Sequence, residues 1–587
     1  MTAALQPHLA LAPAALDVER RDDTSLVLRS PQPLQPGVRC LGDWLRAGAS
    51  RHGDRPLLAE RTRAGDGWRQ VTYAGALDAA TRIGQALLDR GLGPERPLMI
   101  LSENGVDHGL LTLGAADVGV PVVPVSQAYS LLSSDHAKLR AIARQVTPGA
   151  VFAADPLRYA KALQALGLPA TPIDALLDTA PGAAAADAHA RLGPDTLVKV
   201  LYTSGSTGDP KGVVNTQRMI TANQQQAAQV WRFLDDTPPV IVDWLPWSHT
   251  FGGNFTFHLA LAHGGTLYVD GGRPMPGAIE QTVANLREIA PTLYCNVPRG
   301  FDLLLPYLES DAAFRRHFFS RCEMVFYAAA ALPQPLWDRL ERLAQAERQG
   351  RMALVSAWGS TETAPMATAV HYADAGVGVI GLPVPGCEIK LVPNAGKLEA
   401  RLRGPNITPG YWRQPALTVA AFDEEGFYRI GDALRFADEA RPERGLVFDG
   451  RVAEDFKLNS GTWVHVGALR LRLVEAGDGL IKDAAITGHG RDQVGELLFL
   501  HPARAAALAP QALQDALHAA LQRLRSATTG SSLFVQRALV TAEAPSMDAG
   551  EINDKGYLNQ RAVLMRRAGD VARLYAMPHD PDVIVLA

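Results

Sequence analysis

The chain is expected to fold as an α/β protein with a large N-terminal domain built on mainly parallel sheets and a small α+β domain at its C-terminal end. Three observations lead there. At 587 residues it is too long for one hydrophobic core. From Leu41 onward, short β-branched runs alternate with segments of helical spacing, the pattern of a parallel sheet covered on both faces. After Gly450-Arg451 the rhythm changes to a compact succession of strand, strand, helix and strand. The chain therefore divides into a leader (1–40), a large domain (41–449) and a small domain (450–587).

The leader holds two β-like runs, Ala15 to Glu19 and Ser25 to Leu28, around the charged turn Arg20 to Asp23, and reads as an appended hairpin outside the main sheet. Val71 to Tyr73 then reads as a strand, Ala74 to Arg90 as a helix, Pro97 to Leu101 as a strand, Gly109 to Val118 as a helix and Val120 to Val125 as a strand. His136 to Val146 continues as a helix and Ala150 to Ala153 as a strand. The alanine-rich stretch Ala180 to Ala190 is weakly patterned and reads as an exposed connection. In the small domain Ala484 to Thr487, Glu496 to Leu500 and Leu533 to Val540 read as strands, while Leu513, Leu517, Leu521 and Leu524 make one apolar helical stripe.

Hydrophobic residues make up 47% of the chain and charged residues 20%, the balance of an ordinary globular protein. A net charge of −4 gives no general attraction to nucleic acid or to an anionic membrane, so any anion site must be local. Cys40, Cys295, Cys322 and Cys387 lack disulfide or Cys/His ligand spacing and are expected as small buried residues of a reduced compartment. The N-terminal apolar run has no basic start and is broken by Pro7 and Pro13, and no stretch is long enough to span a bilayer. A cytoplasmic protein is expected.

The most informative stretch is Leu201 to Asn215, LYTSGSTGDPKGVVN, which follows the strand-like run Thr196 to Tyr202. Thr203, Ser204, Gly205, Ser206, Thr207 and Gly208 supply hydroxyls and glycines, and Lys211 adds a compact positive charge. Such a loop suits a polyphosphate, because glycines let backbone N–H groups approach phosphate oxygens while hydroxyls and an ammonium donate further bonds. No Gly-Lys-Ser/Thr closes it, so it is not a P-loop. A solvated turn with a stray lysine is the other reading of the composition. The order of residues resembles the nucleotide loop of the adenylate-forming enzymes, the superfamily of acyl-CoA synthetases, adenylation domains and luciferases. The resemblance runs over most of the chain, from about Leu41 to the end.

Within this resemblance the later motifs acquire roles. Asp243 to Asn254, DWLPWSHTFGGN, stands where the superfamily has an aromatic-and-histidine motif beside the carboxylate substrate. There His249 would gate entry and Trp247, Phe251 and Gly252 would wall the acid pocket, although aromatic residues fit core packing equally well. Ala329 and Ala330 replace the glycines of a turn that lies along the adenine, so a positive φ there would be costly. In Trp358-Gly359-Ser360-Thr361-Glu362 the indole offers a flat surface to a purine, Thr361 would contact the α-phosphate, and Glu362 supplies a hard oxygen for Mg²⁺. Asp432 falls on the ribose-binding aspartate, and Arg451 would reach the ribose or a phosphate. Asp455 and Glu454 compete for the hinge position, and Gly461 would line the pantetheine path. Lys555, in the polar loop Ser546 to Gln560, falls on the catalytic lysine of the small domain, which the resemblance implies is mobile.

The resemblance implies ATP, Mg²⁺ and coenzyme A as the small molecules used, and a carboxylic acid as the remaining substrate. At finer grain the segments VVNTQRM, DWLPWSHTFGGN, AWGSTETAP, AEDFKLNSGTWV and DAGEINDKGYLNQRAV are similar to the feruloyl-CoA synthetases, which activate hydroxycinnamic acids. The chain ends soon after the lysine loop, so free CoA is the expected acceptor. A ligase for another aromatic or medium-chain acid, one that loads a carrier protein, and a nucleotide-binding module without catalysis stand as alternatives. Nothing in the sequence sets the oligomeric state.

Overall fold

The computed structural model describes residues 9–62, 65–204, 210–348, 352–373, 375–394, 396–526, 530, 532–553 and 558–586. Three sheets build the large domain. In the first, Ala150–Ala153, Leu98–Leu101, Val122–Pro124 and Leu197–Ser204 run parallel, and Pro210–Thr216 returns antiparallel along the edge. Leu98–Leu101 is buried at every position, as a parallel strand with helices on both faces must be. In the second, Val240–Asp243, Thr266–Val269 and Pro56–Arg61 are parallel, with Trp68–Thr72 antiparallel to the last.

The third sheet has eleven strands and departs from the expected parallel pattern. Leu293–Asn296, Met324–Tyr327 and Ala353–Gly359 are parallel, but every pairing beyond them is antiparallel. The reason lies in the connections. Lys397–Arg403 follows Glu388–Asn394 by a short turn, which permits only an antiparallel neighbour, whereas a parallel one needs a crossover.

The leader is corrected as well. Its strands Asp17–Arg20 and Leu26–Arg29 form a hairpin, but Leu26–Arg29 pairs with Glu388–Asn394 and so belongs to the large sheet. Leu28 is fully buried against the same core as Ile389 and Leu391, worth about 1.5–3 kcal/mol for one leucine, and Arg29 pairs with Glu388 at 2.6 Å. A lone hairpin would lack this burial. The alanine-rich stretch is likewise a helix, Ala183–Arg191. Alanine needs no patterning to be helical, and Ala185 and Ala188, three apart, are its buried face. No helix among the described residues is long and apolar enough to cross a membrane.

Leu446–Arg451 is a strand of the large sheet, with Arg451 in register with Asp432, and the small hairpin of Phe456–Lys457 and Trp463–Val464 comes after it. Beyond it Ile481–Thr487, Gly495–Leu500, Arg537–Val540 and Val583–Val585 form a sheet packed by the helices Val466–Ala476 and Pro510–Ser526. The expected strand over 533–540 is confined to its last four residues.

In that sheet Glu496 is fully buried, and neither carboxylate oxygen has a hydrogen-bond partner among the described residues. Burial holds its pKa well above 4.5. The folded state therefore keeps a proton that the unfolded chain releases, and stability falls as pH rises above about 4.5. Glu496→Gln, isosteric with the neutral acid, is expected to leave Tm unchanged near pH 4.5 and to raise it by a few degrees at pH 8 in thermal unfolding across that range.

Candidate functional site

The phosphate-type stretch is the tip of the hairpin made by Leu197–Ser204 and Pro210–Thr216, in which Thr203 pairs with Lys211. Gly205, Ser206, Thr207 and Gly208 lie outside the described residues, as does the side chain of Ser204. Thr216 caps the following helix Gln217–Val230 by accepting from Met219 N, so the hairpin is anchored at its base. Pro210–Thr216 is an edge strand, and the segment around Tyr411 binds its free side. Val214 N donates to Gly410 O at 3.1 Å, and Trp412 N donates to Gly212 O at 2.7 Å.

This places Tyr411 between two of the sequence motifs. The ammonium of Lys211 lies 5.7 Å from the centre of its ring, and its hydroxyl donates to Glu362 Oε1 at 3.1 Å while lying 3.2 Å from the Tyr428 hydroxyl. Thr408 N donates to Glu362 O at 2.8 Å, which fixes the backbone on the other side. Glu362 itself sits in the short 3₁₀ turn Thr361–Thr363, capped by Ser360. Gly359 admits this turn because a Cβ there would lie 1.9 Å from Pro365 O. Among the described residues Glu362 has no salt-bridge partner, so its negative charge is held by hydroxyls alone. A buried, hydroxyl-bonded carboxylate without a cation fits a site for Mg²⁺.

Beside it Asp432 lies at a bulge within Tyr428–Phe436, in the strand where the sequence suggested a position after one. Its Oδ2 accepts from Trp358 Nε1 at 3.0 Å, and its Oδ1 is 2.8 Å from Arg451 Nε. Burial raises the Asp432 pKa, while Arg451 and the indole bond oppose the shift. Trp358 and Asp432 are buried and Arg451 is exposed, so only the arginine faces outward. Ala329 adopts φ +72°, the conformation that glycine would take more cheaply, and both Ala329 and Ala330 are exposed at the end of Met324–Tyr327.

The aromatic motif is built on a π-helical turn, Phe251–Thr256. Phe251 is half-buried and packs edge-on to Phe326 at 5.3 Å, in the strand that leads to Ala329. Trp247 is core: its ring is wedged between His108 and Phe257 at 5.2 and 4.9 Å. His249 is half-buried, and its carbonyl accepts from Gly253 N at 2.7 Å. Gly252 is required, since a Cβ would meet Leu245 O at 2.2 Å. Asn254 Nδ2 donates to Asn215 Oδ1 at 2.8 Å, tying this turn to the phosphate hairpin.

At the domain junction Asp455 and Glu454 separate clearly. Asp455 accepts from Val466 N and faces His465 Nδ1 at 2.8 Å, and its Oδ2 is 2.5 Å from Lys397 Nζ of the large sheet. Glu454 makes no such bridge among the described residues, and burial raises its pKa. Gly461 has φ +81° in an exposed turn with open space where a Cβ would stand. Lys555 lies outside the described residues, but the segment leading to it touches the large domain. Asp548 accepts from Ser134 Oγ at 3.0 Å, and Met547 O accepts from Lys138 Nζ at 2.6 Å.

Tyr411 and Tyr428 hold Glu362, yet sequence reasoning passed over Tyr411. Its available signal was the Pro-Gly turn followed by two aromatic residues at 409–412. All four cysteines are buried and free. Cys40, Asp43 and His189 offer ligand atoms within 4.8 Å of one another, but Arg39 bonds both Asp43 and His189 at 3.1 Å and Arg46 neutralises the adjoining Asp117.

A three-sheet α/β domain with this hairpin, followed by a small α+β domain, is the fold of the adenylate-forming enzymes. Solved structures show it directly. The adenylation domain of a carboxylate reductase from Mycobacterium chelonae superposes with TM-score 0.69 at 21% identity, covering 92% of each chain. O-succinylbenzoate coenzyme A synthetase from Bacillus subtilis, in complex with AMP, gives 0.66 at 17% identity over 90% of this chain and 97% of its own. The family described as AMP-binding enzyme matches residues 45–412, and the chain belongs to it. An indoleacetate–CoA ligase of Aromatoleum aromaticum is 26% identical over 73% of this chain and 82% of its own length. A ligase of Rhodococcus jostii that joins CoA to a methyl-dioxo-octahydroindenyl propanoate is 24% identical over 75% and 85%.

The Lys397–Asp455 pair is nearly buried on both sides, at 8% and 5% exposure. Breaking a buried pair by removing one partner costs about 3–5 kcal/mol, less here because His465 still faces Asp455. Lys397→Met is therefore expected to lower Tm by several degrees and to speed limited proteolysis within 452–465.

Proposed function

We propose that the protein is an ATP-dependent acid–CoA ligase that converts a hydroxycinnamic acid such as ferulate to its CoA thioester through an acyl-adenylate. The observation that carries this reading is the convergence of Lys211, Glu362, Trp358, Asp432 and Arg451 at one place in a chain of the AMP-binding family. The acid's carboxylate oxygen attacks the α-phosphorus of ATP and pyrophosphate leaves, giving a mixed anhydride. The CoA thiol, losing its proton, then attacks the acyl carbon and AMP leaves.

Each residue has a part in that sequence. Lys211 and the hairpin tip hold the β- and γ-phosphates, Thr361 meets the α-phosphate, and Asp432 accepts from the ribose hydroxyls. Glu362 would hold Mg²⁺, which when bound neutralises phosphate charge. Lys555 stabilises charge between the attacking carboxylate and the α-phosphoryl oxygens. The small domain then turns about Asp455, whose bonds to both domains favour it over Glu454 as the hinge, and Gly461 borders the thiol's path. His249 and Phe251 line the entry of the acid. Docking of 546–548 on Ser134 and Lys138 fits a small domain poised for the first step.

Ferulate is favoured by the five segments shared with feruloyl-CoA synthetases and by the half-buried aromatic residues Trp244 and Phe251. That an indoleacetate ligase is among the relatives supports an aromatic acid.

Purified protein with Mg·ATP, CoA and ferulate, coumarate, caffeate, benzoate or octanoate is expected to form thioesters of the hydroxycinnamates first. Lys555→Ala should slow pyrophosphate release about 10²–10³-fold while sparing thioester formation from supplied acyl-AMP. Thioesters of octanoate or benzoate alone would replace the substrate, and normal pyrophosphate release in the mutant would refute the role of Lys555.

A further inference from the structure

Lys199 stands on Leu197–Ser204, the strand that runs into the phosphate hairpin. It is 2% exposed, its Nζ donates to Gly253 O at 2.7 Å, and among the described residues no carboxylate pairs with it. The ionisable groups its charge reaches are His108 on the helix Val106–Asp117 and His258 on Phe257–Ala262. Burial first, and Lys199 in addition, hold both imidazoles below their usual range, so both are neutral and neither sets a second positive charge beside the lysine. A methionine of similar length would suit this environment better than an ammonium.

The acceptor of that ammonium explains why it is there. Gly253 belongs to the π-helical turn Phe251–Thr256, and side chains serve four successive carbonyls of it. Gly252 O accepts from Thr256 Oγ1 at 3.1 Å, Gly253 O from Lys199, and Asn254 O and Phe255 O from Gln224 Nε2 at 3.2 Å. Lys199 is the one of these donors that comes from the phosphate-hairpin strand. Below the turn there is no slack, for a Cβ on Gly253 would lie 2.2 Å from Trp247 O.

We propose that Lys199 is a positioning residue for the acid: by holding Gly253 it fixes the turn that presents Phe251 and Gly252, and so sets which carboxylic acids the enzyme accepts. The inference rests on the ligase reading above and adds to it a determinant of selectivity outside the aromatic wall. Desolvation lowers the Lys199 pKa from 10.5 to about 7. The unfolded chain keeps the proton up to 10.5, so this group makes the wild-type fold more stable as pH rises from about 7 towards 10.5.

The test is Lys199→Met in the full chain. Its Tm should exceed that of the wild type at pH 6.5, with the gain shrinking towards pH 9.5. At the same time kcat/KM for the preferred acid should fall about tenfold or more, through the KM of the acid, with the KM of ATP within about twofold and the ranking of the acid panel flattened. An unchanged acid KM and ranking would overturn the proposal, as would a proportional rise in both KM values accompanied by a lower Tm, which marks a merely structural role. If Lys199→Met fails to fold, Lys199→Gln, which keeps a donor at shorter reach, reads the same quantities and should fall between the two. A wild type that releases no pyrophosphate with any acid overturns the ligase reading and this proposal together; an active wild type with unaltered variants overturns only the role of Lys199.

Discussion

The bonds from Val214 N to Gly410 O and from Trp412 N to Gly212 O are the constraint on which the site depends. An edge strand exposes a row of unpaired backbone groups, usually a liability to be covered. Here the uncovered side of Pro210–Thr216 seizes a loop that leaves the eleven-stranded sheet. Tyr411 is thereby held over Lys211 on one side and against Glu362 on the other. Two sheets that share a core are tied together again at the place where Tyr411 joins a cationic side chain to a carboxylate that has no salt-bridge partner among the described residues.

Asp432 shows a second coupling. Burial raises its pKa, and Arg451 with the Trp358 indole opposes the rise. Arg451 ends the last strand of the large sheet, immediately before the segment that enters the small domain. Asp432 thus lies one strand away from that junction, where Asp455 bridges Lys397 and the start of Val466–Ala476.

Much of this was legible in the sequence, for reasons that differ by element. The strands Ala150–Ala153 and Leu98–Leu101 and the stripe through Leu517, Leu521 and Leu524 announce themselves because burial imposes an apolar period. The motifs around Lys211, Glu362 and Asp432 stand out because glycines and charges in fixed order are rarely structural noise. What could not be read is what depends on distant partners. Leu26–Arg29 looks like an isolated strand until Glu388–Asn394 is beside it, and Ala183–Arg191 looks patternless because alanine satisfies a helix without a face. For Trp247 the sequence leaves pocket wall and core packing open, and the structure has its ring between His108 and Phe257 in the core.

Lys199 was invisible for a related reason. In LVKVLY the lysine interrupts an apolar run, and a strand pattern absorbs one polar residue without signal. Its meaning lies in what surrounds the Phe251–Thr256 turn. Asp243, its pKa raised by burial to about 7, accepts from Leu245 N and lies 2.5 Å from Thr256 Oγ1, joining the start of the aromatic motif to the end of the turn. Lys199 and Gln224 hold the middle. Buried ionisable groups of this kind work against stability, and an apolar core would tolerate a range of backbone positions there. Hydrogen bonds to individual carbonyls do not. Lys199 reaches the π-helical turn from the middle of one parallel strand and Asp243 from the end of another, so the turn's backbone is held in one position by groups outside it.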